Sequence, residues 1–192
     1  MYKLFWYFKT LIIYKFIFGN IGKLTYIGKP VFLKGTKNVF IGNRVRIFPG
    51  LRIETHNNGM IIIEDNVGIG QNVHLTSSDI TLTIKKNTTI LGNVFITNID
   101  HDYKELNRSI LEQKYIVNKT EIGENCFIGY GAAIQAGTIL GKQCIVGTNS
   151  VVRGIFPDYS VIVGVPAKII KRYNFKTNKW ERTNDKGDFI NE

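Results

Sequence analysis

A six-residue spacing of branched aliphatic residues runs through most of the chain. From Ile122 the sequence divides into the blocks IGENCF, IGYGAA, IQAGTI, LGKQCI and VGTNSV, each beginning with Ile, Leu or Val. Four of these five blocks have glycine in second place, and all five have a small residue in fifth place. An internal repeat of this length indicates a solenoid of short strands and fits neither an α-helix nor a strand meander.

The same register continues upstream with two wider steps. Aliphatic residues recur at Ile41, Ile47, Ile53, Ile63, Ile69, Leu75, Ile84, Ile90 and Ile96. The steps from 53 to 63 and from 75 to 84 contain the polar, turn-forming segments 56–59 and 77–79. We therefore expect short insertions at the corners between blocks.

Three blocks close one triangular coil, and successive coils stack about 4.8 Å apart. The aliphatic residue of each block fills the interior, and we expect the glycine to permit a turn that needs a positive φ. Cys126 and Cys144 are 18 residues apart and so occupy the same corner of adjacent coils. Two packed thiols and a disulfide are both compatible with that position. The predicted fold is an all-β parallel solenoid over residues 23–172, between an apolar segment 1–22 and a polar tail 173–192.

The first 18 residues are strongly apolar but contain Lys3, Lys9 and Lys15. A spanning helix needs about 20 mostly apolar residues, and a central lysine opposes insertion, so we expect this segment not to span a membrane. No small-residue cleavage site follows it, which argues against a secretory signal. Two interpretations stay open, namely a helix or arm packed on the domain or a neighbour, and peripheral contact with a membrane through residues 1–18.

The amino-acid composition excludes few classes of binding partner. The formal net charge of +10 favours an anionic partner, but the lysines are scattered and no Arg-rich or aromatic-interleaved patch occurs, so nucleic acid is not expected. Two cysteines without a CxxC pair indicate neither a disulfide scaffold nor a metal site. A cytoplasmic location is expected, at the inner face of the membrane if the N-terminal segment binds lipid.

The repeat fails between Ile96 and Ile116, where a polar segment begins with Asp100, His101 and Asp102. Solenoid insertions commonly carry function, because a loop on a rigid frame can hold reactive groups. We predict that the loop 98–115 projects from the coil and contributes to an active site.

The blocks resemble those of the hexapeptide-repeat acyltransferases, over roughly residues 27–171. This resemblance implies a left-handed parallel β-helix and a homotrimer. The D-H-D run resembles the motif before the extended loop of sugar and polysaccharide O-acetyltransferases, in which that histidine is the general base. It implies that His101 takes the proton of a sugar hydroxyl, with Asp100 or Asp102 orienting its ring. His74 and Tyr103 are candidates for contact with the saccharide acceptor.

The segment FPDYSVIVGVPAKIIKR resembles the end of the β-helix in the same family, which binds acetyl-CoA as acyl donor. The resemblance implies donor contacts from Ala132, Thr148, Ser150, Lys168 and Arg172. The chain departs from the family pattern at Phe127, at Thr148 and Asn149, and at the segment 154–156, and Gly50 stands where a galactoside acetyltransferase has a catalytic asparagine.

Three alternatives remain to acetyl-CoA-dependent O-acetylation in surface-polysaccharide biosynthesis. The first is N-acetylation of an amino sugar or antibiotic by the same base and donor. The second is a γ-type carbonic anhydrase, since the same solenoid can bind zinc through three histidines and this chain has three; however, it lacks the H-x4-H pair, and no metal is expected. The third is a binding solenoid without catalysis.

Overall fold

The first element of the computed structural model, which describes residues 2–190, is a helix across the free edge of the first coil. It comprises Tyr2–Lys9, the π-helical turn Thr10–Tyr14 and Lys15–Ile17. The Thr10 hydroxyl, which is buried, accepts the N–H of Ile27 at 2.9 Å. This contact satisfies an edge donor that has no preceding coil to bond to. Within residues 2–190, no helix combines the length and apolarity needed to span a membrane.

Three sheets, parallel within the coils, form the faces of a left-handed β-helix of about six turns, as the repeat predicts. The first face contains Asn20–Ile21, Val39–Ile41, Met60–Ile63, Thr81–Ile84, Glu121–Ile122, Ile139–Leu140 and Ile155–Phe156. The second contains Tyr26–Ile27, Arg46–Ile47, Gly68–Ile69, Thr89–Ile90, Phe127–Ile128, Ile145–Val146 and Ser160–Gly164. The third contains Phe32–Lys34, Arg52–His56, His74–Ser78, Phe95–Thr97, Ala133–Ile134 and Val151–Val152. A 3-10 turn, Thr36–Asn38, joins the third face of the first coil to the first face of the second.

The aliphatic positions of the repeat form the core, as predicted. On the first face Ile41, Ile63, Ile84 and Ile122 stack in register, and all are essentially inaccessible to solvent. Burying one such side chain contributes roughly 1.5–3 kcal/mol. The direct pairing of Ile84 with Ile122 shows that the solenoid continues across the intervening loop.

The predicted role of the second-position glycines is wrong. Positive φ occurs instead in fourth place, at Asn125, Gly131, Gly137, Gln143 and Asn149. A Cβ added to Gly123 would lie 2.2 Å from the carbonyl oxygen of Gly141 in the next coil. The second-position glycines are therefore needed because the backbones of stacked coils approach too closely for a side chain.

The two insertions lengthen strands as well as corners. Arg52–His56 and His74–Ser78 each have five residues and pair along their whole length. The chain turns only afterwards, at Asn57 and Asp79, which both have positive φ. The third face is consequently wider in these two coils, beside the loop.

The loop leaves the third face as an antiparallel hairpin. Ile99–His101 pairs with Tyr115–Val117, and a 3-10 turn, Ile110–Glu112, lies between them. Asn98, fully buried, accepts the backbone N–H of Ser78 and donates to the carbonyl oxygens of Ser78 and Ile80. This residue anchors the hairpin on the widened face.

The polar tail continues the second face in antiparallel fashion. Ala167–Asn174 pairs with Ser160–Gly164 and with Lys179–Arg182, so one strand runs from the repeat region into the tail. Trp180 packs against Tyr173, with ring centroids 5.7 Å apart, and Phe189 lies under the guanidinium of Arg172. The tail thus covers the last strand of the second face.

Cys126 and Cys144 share a corner as the spacing predicts, and both are free, buried thiols. Their sulfurs face the carbonyl oxygens of Gly141 and Pro157. Hydrogen bonding with Cys144, together with burial, raises the pKa of the Cys126 thiol far above its ordinary value. Cys126 is therefore a packing residue that stays neutral at physiological pH.

Candidate active site

His101 ends the first strand of the hairpin and lies directly opposite Tyr115. The two rings are 5.0 Å apart between centroids and nearly perpendicular, while the His101 side chain remains open to solvent. The hairpin thus holds the imidazole by its backbone and by one aromatic contact. A base in this position can reach a substrate that approaches the outside of the third face.

The two aspartates beside His101 have other partners within the chain. Asp100 forms an ion pair with Arg153 at 2.6 Å, and Asp102 accepts the backbone N–H of Lys104 at 3.2 Å. Among the described residues, neither carboxylate hydrogen-bonds to His101. Their expected role in orienting the ring stays a prediction, and Asp100 has a second role in tying the hairpin to a later coil through Arg153.

A buried carboxylate that sequence reasoning did not single out lies on the widened third face. Glu54 is only 8% exposed and receives the Nε of Arg52 at 2.5 Å and the Nε2 of His74 at 3.2 Å. The Nε2 of His56 lies 3.6 Å from its other oxygen. We call Arg52, Glu54, His56 and His74 the Glu54 cluster. His74 was a candidate for acceptor contact, and this cluster is its environment.

The electrostatics of the cluster hold Glu54 ionised and His74 neutral. Burial opposes ionisation of Glu54, but the hydrogen bond and charge of Arg52, assisted by His74, outweigh it and lower the pKa of the carboxyl. Burial and the nearby Arg52 lower the pKa of His74, although Glu54 acts in the opposite direction. Groups whose pKa values are shifted by burial and by a specific charged partner are candidates for a functional site.

Tyr115 connects the Glu54 cluster to His101. Its ring lies 5.9 Å from that of His56 and 5.0 Å from that of His101, measured between centroids. Phe95 lies against His74, with centroids 4.9 Å apart. The third face therefore combines hydrogen-bonding groups with aromatic surfaces, a combination suited to a polar ring with hydroxyl groups. Tyr103, the other acceptor candidate, is exposed on the loop.

The predicted donor residues lie around the late coils of the second face. Ala132 and Ser150 are buried at one corner, so their side chains cannot make surface contacts, and the Ser150 hydroxyl accepts the N–H of Gly164 at 3.1 Å. Thr148 is exposed beside them. Lys168 pairs with Asp185, and Arg172 donates to the carbonyl oxygen of Gly187. The structure brings these residues to one region, and their contact with a donor stays a prediction.

The sequence contained a signal for the Glu54 cluster. In Arg52–His56 polar side chains alternate with residues on the inner side, and this strand is one of those that the insertion lengthens. Nothing in the sequence pairs Arg153 with Asp100, which are 53 positions apart. Within residues 2–190 no group of three or more His, Cys, Asp or Glu residues is arranged to hold a metal ion.

Comparison with known proteins agrees with this fold. Residues 119–154 match the family model described as bacterial transferase hexapeptide, six repeats. The chain is 35% identical over 166 residues to the putative lipopolysaccharide biosynthesis O-acetyl transferase WbbJ of Escherichia coli K12, covering 80% of this chain and 81% of that protein.

Two solved structures are similar in fold. AntD, an N-acyltransferase from Bacillus cereus in complex with dTDP and 3-hydroxybutyryl-CoA, superposes with a TM-score of 0.74 at 20% identity, over 90% of this chain and 92% of AntD. A galactoside acetyltransferase in complex with coenzyme A gives a TM-score of 0.57 at 20% identity, over 93% of this chain and 75% of that chain. From the repeat, the solenoid and the extended match to WbbJ, this chain belongs to the hexapeptide-repeat acyltransferase superfamily and is an acyltransferase.

Proposed function

We propose that this acyltransferase moves the acetyl group of acetyl-CoA to a sugar hydroxyl, in the synthesis of a surface polysaccharide, with His101 as general base. The observation that carries the proposal is the placement of His101, exposed at the end of a hairpin and joined through Tyr115 to the Glu54 cluster. The likeness to WbbJ along four fifths of the chain supports O-acetylation and the polysaccharide context.

The reaction needs one proton acceptor and one stabilised oxyanion. His101 takes the proton of the attacking hydroxyl while that oxygen forms a bond to the thioester carbonyl carbon. The tetrahedral intermediate then collapses, the carbon–sulfur bond breaks, and His101 returns the proton to the leaving thiolate. Direct transfer of this kind requires no acyl-enzyme intermediate.

The Glu54 cluster provides the acceptor side of the site in this proposal. An ionised carboxylate accepts hydrogen bonds from sugar hydroxyls, and Arg52, half exposed, donates to ring and hydroxyl oxygens. Phe95 and Tyr115 supply flat apolar surface for the sugar ring. The cationic side chains of Lys168 and Arg172 suit the phosphates of acetyl-CoA.

The test of the base is His101→Ala, with Lys114→Ala, an exposed position on the same loop, as the matched control. We expect the first variant to lower kcat by about 10²–10⁴-fold while the affinity for acetyl-CoA stays close to wild type, because the base acts only in the chemical step. The control should keep the wild-type rate. Near-normal turnover of His101→Ala, under conditions where chemistry limits the rate, would contradict the assignment.

N-acylation of an amino sugar is the second candidate, favoured by the superposition with AntD. A screen of paired acceptors, each offered with a hydroxyl or an amino group at the same carbon and with labelled acetyl-CoA, separates the two reactions. Transfer only to the amino member of the pairs would replace the hydroxyl assignment. A zinc determination on the same purified protein tests the carbonic anhydrase alternative.

A further inference from the structure

The N-terminal helix has one side on the solenoid and one side that is both apolar and exposed. Thr10 and Tyr14 face the solenoid and are buried. The outer face of the helix, as we define it, consists of Leu4, Phe5, Phe8, Leu11, Ile12 and Phe16, and each of these side chains is at least 39% exposed. Contiguous apolar patches of this kind on a soluble protein mark an interaction surface.

The net charge of the protein lies at the same end. Residues 1–53 contain ten lysines and arginines and no aspartate or glutamate, whereas the remaining residues contain 15 basic and 15 acidic side chains. Residues 1–53 therefore carry a net charge of +10, equal to that of the whole chain. The lysines are dispersed along the chain, as noted from the sequence, but the acidic residues that neutralise them are absent from this end.

Two lysines of the helix lie beside aromatic rings of the protein. The Lys3 ammonium group lies 6.0 Å from the centroid of the Phe48 ring, and the Lys9 ammonium group lies 5.5 Å from the centroid of the Tyr14 ring. Lys37, on the corner after the first coil, donates to the carbonyl oxygen of Phe16 at 2.7 Å. A polar helix face is not needed here, because the solenoid itself covers the side that an isolated interfacial helix would expose to water.

We propose that the outer face of the N-terminal helix docks on an anionic lipid bilayer. The apolar side chains enter the boundary between headgroups and acyl chains, and the flexible basic side chains at this end of the molecule reach the phosphates of the headgroups. The combination of bulky apolar and cationic side chains complements this surface, whereas nucleic acid offers no apolar layer to the phenylalanines. The inference does not depend on the proposed sugar acceptor.

The test is co-sedimentation of the full chain with vesicles of phosphatidylcholine alone and of phosphatidylcholine mixed with phosphatidylglycerol. We expect binding to the anionic vesicles, a decrease as salt is raised, and at least a tenfold loss of binding in Phe8→Ser/Ile12→Ser/Phe16→Ser. The triple variant Lys3→Gln/Lys9→Gln/Lys15→Gln should weaken binding only to the vesicles that contain phosphatidylglycerol. Ile155→Ser, an exposed apolar position near the opposite end of the solenoid, is the matched control and should bind as wild type.

Folding and alternative occupants are checked in the same experiment. Thermal unfolding should be nearly unchanged in the serine variant, because the three side chains are 53–73% exposed. As a second readout, brominated lipid should quench Trp6 fluorescence in a Trp180→Phe background. The proposal is overturned if wild type stays in the supernatant with anionic vesicles, or if the serine variant binds equally well. A change in the particle mass of the serine variant in light scattering also overturns the proposal, because it indicates that a second copy of the chain covers the helix. Binding of the wild type to a DNA oligonucleotide but not to vesicles overturns it as well.

Discussion

At the residue scale, His74 lies between two opposite influences on its pKa. Burial and the charge of Arg52 lower the pKa of His74, and the charge of Glu54 raises it. The lowering effects are larger, so the net shift is downward. We expect Glu54→Gln to lower the pKa of His74 below its wild-type value and Arg52→Gln to raise it. An NMR titration of the His74 ring in the wild type and in both variants measures these shifts. Equal values in all three proteins would contradict the ion-pair geometry of the cluster.

The lowered pKa values of Glu54 and His74 make the free energy of unfolding depend on pH. The pKa of Glu54 is lowered in the folded state, so its contribution to stability is present above the ordinary glutamate range and is lost as pH falls through the lowered value. The pKa of His74 is also lowered, so stability begins to fall as pH drops below about 6.5. Denaturant unfolding between neutral and acidic pH should show both losses. In Glu54→Gln the loss in the carboxylate range should be smaller, and an unchanged pH profile would contradict this prediction.

Gly123 and Gln143, at the same corner of adjacent coils, make a matched pair of substitutions. Gly123→Ala places a Cβ 2.2 Å from the Gly141 carbonyl oxygen, so adjacent coils must separate and the protein should be clearly destabilised. Gln143→Gly relieves a positive φ of 53° that costs roughly 1 kcal/mol for a residue with a side chain. Its stability should therefore be equal to or above that of wild type. Denaturant midpoints check both, and a harmless Gly123→Ala would disprove the close-approach explanation.

At the element scale, the loop is organised separately from the solenoid. Gln113 bonds to the backbone of Glu105 and Arg108, while the coils pair directly across the insertion. Replacing residues 104–113 by a short Asn-Gly turn keeps His101 and Tyr115. We expect kcat/KM for the acceptor to fall about tenfold or more, since the acceptor wall is lost, with little change in Tm. A large decrease in Tm would show instead that the loop supports the fold.

The elements differed in how far the sequence could predict them. Core strands followed directly from the period, because an aliphatic residue every six positions has only the interior of a triangular coil to occupy. The hairpin within the loop was not predicted, since its strands pair residues on opposite sides of the polar insertion. The sequence also did not decide whether the tail docks on the solenoid, because the contacts of its strands depend on the last coil.

At the scale of the whole molecule, we predict a homotrimer with three-fold symmetry. His101 is open to solvent in one chain, and Phe127 and Ile145 lie in register as exposed apolar residues on the flat second face. A closed ring would bury this face and complete the site from two chains. Light scattering should give three times the 21.8 kDa of one chain. A stable, active monomer would contradict the prediction.

The sequence by itself determined the solenoid, the approximate positions of its coils and the break that carries His101. Each of these depends on residues close together in the chain, whose period is visible without coordinates. Only the tertiary structure decided that Glu54 meets His74 and that Asp100 meets Arg153, because those contacts join residues 20 and 53 positions apart. It also decided what the glycines do, since the space beside a backbone is set by the neighbouring coil. In the coils before Ile122, which residues share a corner depends on how the insertions change the length of each coil, and that length is settled only when the strands pair.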